Sequence, residues 1–246
     1  FEIQNNNDER QWKQWLPGWG CNGTNVAAYF APHGYRNAAP TENFGDNVFE
    51  KTGGTHPAGL EFDPRRAATI WAPGDSVVYN VGDDEIIGTP RFDPQVHANG
   101  AITQKYGLRK YYYPIHTGYL APAIDPNNWR LIRYSDVLLM YAEADYHVSG
   151  SGGDGIQKLN EVRARAGMPD VADLTPEAIM HERDVEFGFE CVRVTDLIRW
   201  SRVGPEWVAP EDLPILMPGF QLNKNEFWPI PINEINKMNG LLKQNP

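Results

Sequence analysis

Aromatic side chains are concentrated near the start of this 246-residue sequence, where they alternate with amide, guanidinium and glycine residues. Aromatic rings stack on the apolar C–H faces of sugars, while amide and guanidinium groups bond sugar hydroxyls. Ligand sites commonly combine such apolar surfaces with a few polar groups. The pattern therefore predicts a ligand-binding site made of these residues: Trp12, Trp15, Trp19, Tyr29, Tyr35, Asn25 and Arg36. The alternative is that the rings pack the first part of the chain onto the rest.

Residues that could catalyse a reaction do not form a recognisable set. A glycosidase needs two carboxyl groups that face each other across a sugar-binding cleft. The candidates are Asp63, Asp83, Asp84, Glu143 and Glu186, and no two of them stand apart from the charge spacing of ordinary helices. The histidines form no His-Glu-x-x-His motif, and the sequence lacks Gly-x-Ser-x-Gly. We therefore expect a binding protein that is not an enzyme and has no cofactor or metal.

Charge and cysteine usage limit the partners further. The net charge is −10, and an acidic chain repels phosphate backbones, so nucleic acid is not an expected partner. The longest strongly apolar run, Val137 to Ala142, is far too short to span a bilayer. Cys21 and Cys191 are too few for a disulfide framework or a zinc site. They form either one long-range disulfide or, in the simpler interpretation, two buried free thiols.

The two halves of the sequence differ in their organisation. Residues 1–128 are rich in Gly, Pro, Asn and aromatic residues, which predicts long ordered loops and a small β-element around Ser76–Val81 and Arg109–Tyr113. Long loops in a compact domain usually carry function. Residues 129–246 show helical periodicity. We predict a mainly α fold with little β-structure, in which residues 1–128 carry the candidate ligand contacts.

The helical half begins with a predicted pair of helices. Apolar residues recur at helical spacing from Arg133 to His147, and a Ser/Gly-rich connector at 149–153 ends this helix. A second periodic stretch from Ile156 to Ala166 is followed by Gly167, a typical left-handed cap. Because the connector is short, we expect an antiparallel pair of the kind found in tetratricopeptide solenoids.

Two more helices are predicted downstream. Thr175 and Pro176 are a typical N-cap and first helical residue. The spacing that follows predicts that residues 181–184 face outward and that three residues face inward: Ile179, Val185 and Phe189. A last helix is predicted over Val194–Trp200.

Charged residues in this half also recur at helical spacing. Three pairs lie three or four residues apart: Arg133 with Asp136, Glu182 with Glu186, and Arg193 with Asp196. Such spacing predicts ion pairs on a helix surface or between neighbouring helices, a few of them partly buried.

Motifs in the sequence resemble, in order, those of the SusD/RagB family of outer-membrane nutrient-binding lipoproteins. They are Phe62–Arg66 (FDPRR), Arg133–Ala144 (RYSDVLLMYAEA), Leu159–Gly167 (LNEVRARAG), Leu174–Pro176, Glu182-Arg183, Glu186-Phe187, Arg193 with Asp196–Trp200, Phe227–Pro231 (FWPIP), Glu234 and Asn239–Pro246. One motif alone would be weak, but together they are highly specific. The chain departs from the family at residues 188–192, where the family usually has a small residue, Glu and Gly.

The resemblance implies a C-terminal part of such a protein, because the family's N-terminal half has no counterpart here. It implies a SusD-like fold with a TPR-like helix pair, and a lipid anchor, carried by the absent region, on the extracellular face of the outer membrane. The expected partner is a SusC-like TonB-dependent transporter, to which the protein delivers an oligosaccharide. Peptide capture is the alternative within the family, and glycoside hydrolysis is the alternative from another class.

A chain that lacks half of a fold should leave some helices without neighbours. We expect the Arg133–His147 helix and the region of Trp200 to pack against helices absent from this chain. The chain alone should then expose a larger apolar patch than soluble monomers tolerate.

Overall fold

The computed structural model describes residues 2–3, 39–76, 92, 94–96, 102–111 and 128–245. These residues form a mainly helical structure with little strand, which confirms the predicted fold class. Among them, no helix is long and apolar enough to span a bilayer.

The first half contributes short elements. They are β1 (Glu2–Ile3), a π-helical turn (Phe44–Val48), α1 (Pro64–Thr69), β2 (Ile70–Trp71), β3 (Gln95–Val96), β4 (Ile102–Gln104) and β5 (Gly107–Leu108), followed by β6 (Trp129–Arg130) where the helical half begins. The strands form antiparallel pairs: β1 with β6, β2 with β5, and β3 with β4.

The predicted β-element lies partly outside the described residues. It was expected around Ser76–Val81 and Arg109–Tyr113; Ser76 forms a β-bridge, residues 109–111 contain no strand, and β2 pairs with β5, which ends immediately before Arg109. Both strands are buried throughout. They therefore lack the apolar–polar alternation by which a strand is recognised in a sequence. Residues 77–81 and 112–113 lie outside the described part of the chain.

The start of α1 is set by a local capping pattern. The Asp63 carboxylate accepts a hydrogen bond from the Arg65 backbone N–H at 2.9 Å, and Pro64 occupies the first helical position. The same carboxylate pairs with the Arg65 guanidinium at 2.7 Å. The Phe-Asp-Pro-Arg sequence therefore fixes both the first turn of the helix and the position of the Arg65 side chain.

The second half contains longer helices. They are α2 (Tyr134–Ser149), α3 (Gly155–Arg165), α4 (Pro176–Phe187) and α5 (Arg193–Trp200). A 3-10 turn (Gly150–Gly152) connects α2 to α3. A second 3-10 turn (Pro210–Asp212) leads into α6 (Leu213–Leu216), and α7 (Ile232–Lys237) lies near the C-terminus.

Helices α2 and α3 form the predicted antiparallel pair. The Tyr134 hydroxyl at the start of α2 bonds Glu161 near the end of α3, and the Tyr141 hydroxyl bonds Asp154, which immediately precedes α3, at 2.7 Å. The buried residues between the helices are Leu138, Leu139, Ala142, Leu159 and Val162. The pair therefore forms the apolar centre of the helical half.

The predicted helix boundaries are confirmed. The chain turns at Gly150 with φ 62°, and Gly167 follows α3 with φ 70°, a backbone conformation that side chains with a Cβ disfavour. Thr175 caps α4 by accepting a hydrogen bond from the backbone N–H of Ala178 at 3.1 Å, and Pro176 is its first residue.

Helix α4 is buried on more sides than the sequence predicts. Two of its residues face inward as predicted: Ile179 and Val185. Phe189 lies beyond the helix end, and its ring packs edge-on against Phe44 at 5.2 Å. The outward orientation predicted for residues 181–184 is wrong, because Glu182 has no exposed surface and Arg183 is buried. Both side chains have ionic partners on other elements, described below.

Two predictions fail around α5. Trp200 is fully buried within this chain: its ring stacks on Trp207 at 6.0 Å, and its Nε1 donates to Glu143 of α2 at 3.0 Å. The expectation that this region packs against helices absent from the chain is therefore wrong.

Cys191 is exposed, so the interpretation as two buried thiols is wrong for this residue; Cys21 lies outside the described residues.

A smaller apolar cluster joins the first half to α4. Its buried members are Phe49, Ile70, Tyr106 and Val185. Gly45, in the π-helical turn, is buried against the ring of Tyr106. A Cβ atom at this position would lie 2.2 to 2.6 Å from three ring atoms, so only glycine fits without a shift of the ring.

We expect Gly45→Ala to lower the free energy of unfolding by about 1–3 kcal/mol, the usual cost of overpacking. Urea titration measures this loss. Gly152→Ala is the matched control, because no atom lies within 4 Å of its Cβ position, and its effect should stay within about 0.5 kcal/mol. Equal unfolding midpoints for the two variants would contradict the described packing.

Candidate functional site

The residues predicted to bind ligand lie outside the described part of the chain. They are Trp12, Trp15, Trp19, Tyr29, Tyr35, Asn25 and Arg36. Their role remains a prediction. The described residues include both ends of the segment that contains them, residues 4–38, and the elements to which those ends are attached.

The first end of this segment is fixed at the start of the helical half. β1 pairs antiparallel with β6, so that Glu2 lies opposite Arg130 and Ile3 opposite Trp129. The amide of Asn128 donates to the Glu2 carboxylate at 2.9 Å. Ile3, the last described residue before this segment, therefore pairs with the strand that leads into α2.

The second end is fixed against the corner that follows α4. The Phe44 backbone N–H bonds the Thr41 hydroxyl at 3.1 Å. The Phe44 ring packs edge-on against both Phe49 and Phe189, each at 5.2 Å. Both ends of the segment are thus attached to ordered structure, as expected for loops that present binding residues on a rigid scaffold.

Further contacts fix the described residues next to the other segments of the first half that the structure does not describe. Phe92 exchanges backbone hydrogen bonds with Gly74 and Asp75 at 2.9 and 2.8 Å, and β3 pairs with β4. Lys110 donates to the backbone carbonyls of Glu186 and Gly188 at 2.9 and 3.1 Å. We call the described residues 39–76 and 102–111 the platform, since these segments all begin or end on it.

A buried ionic network attaches the platform to the helices, and Glu182 of α4 is at its centre. This carboxylate has no exposed surface. It accepts hydrogen bonds from Arg65 of α1 at 2.5 Å and from Arg163 of α3 at 3.1 Å. One carboxylate therefore binds both halves of the chain.

One helical turn further along α4, Glu186 accepts hydrogen bonds from three guanidinium groups. Arg65 and Arg133 bond it at 3.1 and 2.8 Å, and Arg165 bonds both carboxylate oxygens at 2.8 Å. Burial raises the pKa of Glu186, but the hydrogen bond from Arg133 and the charges of the three arginines outweigh burial and hold the pKa below its usual value. The carboxylate is therefore ionised, and both of its oxygens accept hydrogen bonds.

Glu190 and Lys110 extend the network beyond the end of α4. The Lys110 ammonium lies 2.6 Å from the Glu190 carboxylate, which also accepts hydrogen bonds from Arg133 at 2.8 Å. Burial lowers the pKa of Lys110 below its usual value despite the neighbouring Glu190. Arg133, at the N-terminus of α2, thus links α2 to the corner on which Phe44 packs.

At the opposite end of the network, Glu50 of the platform lies between the side chains of His181 and Arg163. His181 Nε2 lies 3.0 Å from its carboxylate, and Arg163 donates to it at 2.7 Å. These two hydrogen bonds, led by that of His181, hold the pKa of Glu50 well below its usual range against the effect of burial.

A second network joins the helices to one another. Arg183 of α4 bonds Asp196 of α5 at 2.8 Å and Asp136 of α2 at 3.0 Å. Arg199 bonds Asp196 at 2.8 Å and also bonds Glu143. Residues from the predicted charged pairs therefore bind partners on neighbouring helices, which is one of the two arrangements that the sequence left open.

The partners themselves differ from those that local spacing suggests. Arg133 binds Glu186 and Glu190, and Arg193 binds Asp184 at 3.4 Å. These contacts could not be predicted from local spacing, because the partners are separated along the chain. The only available signal was a run of charges on a helix whose apolar positions are too few to define one buried face.

The network provides no carboxyl pair for acid–base catalysis. It combines five carboxylates with five cationic side chains: Glu50, Asp63, Glu182, Glu186 and Glu190 with Arg65, Lys110, Arg133, Arg163 and Arg165. Among the glycosidase candidates, Asp63 and Glu186 both bind Arg65, while Glu143 binds Arg199 and Trp200. Asp83 and Asp84 lie outside the described residues. Such fully paired charges are typical of a structural role.

Comparison with known proteins gives a consistent match. The model of the SusD family matches residues 2–246. A SusD-like protein of Bacteroides ovatus is 37% identical over 83 residues, which are 33% of this chain and 15% of that protein. SusD-like protein P2 of Formosa agariphila is 28% identical over 131 residues, covering 48% of this chain and 26% of that protein.

Solved structures have the same fold. A SusD-like protein of Bacteroides fragilis has a TM-score of 0.63 at 23% identity, and the match covers 91% of this chain and 49% of that one. Surface glycan-binding protein A of Bacteroides thetaiotaomicron, in complex with laminarihexaose, has a TM-score of 0.58 at 24% identity, over 100% of this chain and 51% of that one. The chain thus spans about half the length of these structures.

The shifted pKa of Glu50 makes a testable contribution to stability. Because the folded-state pKa lies below that of an unfolded glutamate (about 4.3), the unfolded chain takes up the proton first as the pH falls. The stabilisation is therefore complete above about pH 5 and is lost as the pH falls towards the folded-state pKa. We expect Glu50→Gln to cost about 1–3 kcal/mol at pH 7, in the range of hydrogen bonds to charged groups, and progressively less below pH 4.

Urea unfolding at pH 7, 5 and 3 measures this difference. Glu234→Gln is the control, because Glu234 forms an exposed pair with Lys237 and exposed pairs contribute little. If the difference between Glu50→Gln and the unchanged chain did not depend on pH, the ionic role of Glu50 would be wrong.

Proposed function

Since this chain belongs to the SusD family, we propose that it binds an oligosaccharide at the bacterial cell surface and delivers it to a transporter without chemical change. The observation that carries the proposal is the match of the family model over residues 2–246. The whole protein would be a lipoprotein of the outer membrane, and its transporter would be a SusC-like TonB-dependent protein.

Residues 4–38, which we call the aromatic segment, support a sugar as the ligand. Three tryptophans and two tyrosines lie among amide and guanidinium residues within residues 12–36, the combination that sugar rings and hydroxyls require. Both ends of this segment are attached to the platform and to β6. One relative of the same fold was solved with laminarihexaose, and another is a laminarin-binding SusD-like protein, so laminarihexaose is a suitable first probe.

The described ionic groups support binding without catalysis. A glycosidase requires one carboxyl group that holds a proton and a second that attacks or activates water. Asp63 and Glu186 share Arg65 as a partner, and Glu186 has a lowered pKa. Glu186 is therefore not a suitable proton donor at neutral pH. Hydrolysis remains the alternative that an activity assay tests directly.

We further propose that the natural protein contains an N-terminal half that this chain lacks. The chain spans about half the length of the solved relatives. Part of the ligand site would then belong to residues outside this chain, which makes an affinity measured on this chain a lower limit.

We expect this chain to bind laminarihexaose or another oligosaccharide on a glycan array, and to bind no member of a parallel peptide array. Substitution of Trp12, Trp15 or Trp19 by Ala should remove about 1–3 kcal/mol of binding free energy for a ring that stacks on the ligand, by analogy with other aromatic stacking. Trp228→Ala is the control, because Trp228 is 91% exposed and lies outside the predicted site.

Other outcomes assign the protein to one of the alternatives. Binding of peptides but not glycans would support peptide capture, in which extended backbone pairs with a sheet edge or groove. Release of new reducing ends from the bound oligosaccharide would show that the protein is a hydrolase. Equal loss of affinity in Trp228→Ala and the three other variants would mean that the aromatic segment is not the binding site.

A further inference from the structure

A row of alternating cations and aromatic rings runs across the platform. The Lys51 ammonium lies over Phe62, 5.6 Å from the centre of its ring. The Arg66 guanidinium contacts two rings, 4.7 Å from the centre of Phe62 and 5.6 Å from that of Tyr106. The Lys105 ammonium lies 5.2 Å from the centre of the Tyr106 ring. We call Lys51, Phe62, Arg66, Tyr106 and Lys105 the cation row.

The backbone separates the first part of this row from the buried ionic network. Lys51 and Phe62 lie opposite each other in an antiparallel β-bridge. Directly opposed residues place their side chains on the same side, and the residues next to them point to the other side. These neighbours, Glu50 and Asp63, bind the buried arginines. The alternation of the backbone therefore keeps the row apart from the carboxylates of the network.

Arg65 and Arg66 are neighbours in α1 but have different partners. Arg65 pairs with three carboxylates of the buried network. Arg66 is partly buried, and its Nε donates to the Gly45 backbone carbonyl at 3.0 Å. Its two Nη groups donate to no residue in the described part of the chain. A guanidinium with free Nη groups is suited to bind an oxyanion through two parallel hydrogen bonds.

The cation row carries more positive than negative charge. Asp46 pairs with Lys105 at 2.7 Å and also accepts a hydrogen bond from the Tyr106 hydroxyl. Neither Lys51 nor Arg66 forms an ion pair with any residue that the structure describes. The net charge of the whole chain is −10, but at physiological salt charges more than about 8 Å apart are largely screened. An anionic group in contact with the row therefore meets a local excess of positive charge.

The row adjoins the end of the aromatic segment. The first element after this segment is the π-helical turn Phe44–Val48. In this turn, Gly45 packs against the Tyr106 ring and accepts the hydrogen bond from Arg66. Asp46, the next residue, bonds Tyr106 and Lys105. The chain thus passes directly from the predicted sugar-binding residues to the cation row.

We propose that the cation row binds an anionic substituent of the oligosaccharide, a carboxylate or a sulfate ester, so that the ligand of this protein is an acidic glycan. Arg66 donates its two Nη groups to the oxyanion, and Lys51 adds a second positive charge beside it. The aromatic rings hold these cations in place and exclude part of their water, which strengthens a charged contact. This inference rests on the proposed function and adds the charge of the ligand to it.

Three hexasaccharides with one backbone test the charge of the ligand. They are laminarihexaose, the derivative whose primary hydroxyls are sulfated, and the derivative whose primary hydroxyls are oxidised to carboxylates. We expect both charged derivatives to bind this chain about tenfold more tightly than laminarihexaose, the effect of one hydrogen bond to a charged group. Titration calorimetry measures the affinities. The advantage should largely disappear between about 0.1 M and about 1 M salt, because the Debye length falls from about 10 Å to about 3 Å.

The combined substitution of Lys51→Gln and Arg66→Gln removes two charges from the row. It should lower the affinity for the charged derivatives about tenfold and leave the affinity for laminarihexaose unchanged. Arg202→Gln combined with Lys224→Gln is the matched control, because it removes two charges outside the platform. Arg202 also lies over an aromatic ring, 5.8 Å from the centre of Phe227. The control should keep the full preference for the charged derivatives.

Lys51→Gln alone tests the row with little risk to folding, because Lys51 is exposed. We expect it to lower the affinity for the charged derivatives about threefold, in the range of an exposed ion pair. A lower Tm of these variants without a change in the preference for charged derivatives would assign the cations to the stability of the platform and overturn the proposal. An equal loss of preference in the control would also overturn it, since overall charge would then set the preference.

The remaining outcomes separate this proposal from the proposed function. Equal affinities for the three hexasaccharides would overturn the cation row as a binding site and keep the proposed function. Tighter binding of one charged derivative alone would support the row and identify the anion. Charged derivatives that bind equally well to Trp12→Ala, Trp15→Ala and Trp19→Ala would support the row and reject the aromatic segment as the site. Binding of no glycan at all would reject both.

Discussion

A single carboxylate with no exposed surface, Glu182, constrains the rest of this structure. An ionised group in such a position is tolerated only when charged partners and hydrogen bonds replace the lost water. Arg65 from the first half and Arg163 from α3 are those partners. As a result, movement of α1 away from α3 and α4 would break the buried ion pairs that Arg65 forms with Glu182 and Glu186. The platform and the helical half are therefore held in one relative position. The apolar cluster around Tyr106 and Val185 stabilises the same interface.

The attachment of the platform to the helical half also holds both ends of the aromatic segment. The aromatic segment starts at β1 beside β6 and ends at the turn where Phe44 packs on Phe189. Both attachment points are held by the ionic network, because Arg133 and Glu190 join the start of α2 to the corner after α4. Loops whose ends are fixed lose less conformational entropy when they bind a ligand. In the proposed function, the ionic network holds the ends of the aromatic segment in position, and the aromatic residues make the ligand contacts.

The sequence predicted those features that depend on local pattern. The antiparallel pair α2–α3, the Thr175-Pro176 start of α4 and the left-handed Gly167 follow from spacing and capping, and all are confirmed. The burial of Glu182 and Arg183 could not be predicted in this way. Arg65 and Glu182 are 117 residues apart, and no local rule connects them. The buried strands β2 and β5 could not be predicted from alternation, because they lack it. Trp200 stacks on Trp207 of the same chain, a contact that local spacing does not predict either. The predicted ligand residues lie outside the described residues, so their role depends on sequence and family alone.

The buried ionic network fixes the platform to the helices. Hydrogen exchange of an Arg65→Met variant tests it most directly, because the change keeps much of the side-chain volume and removes the charge that joins α1 to α4. We expect amide protection to fall sharply in residues 44–71 and in α4, while α2 and the control variant Lys237→Met keep the protection of the unchanged chain. Unchanged protection in residues 44–71 of Arg65→Met, or an equal loss in α2, would contradict the claim.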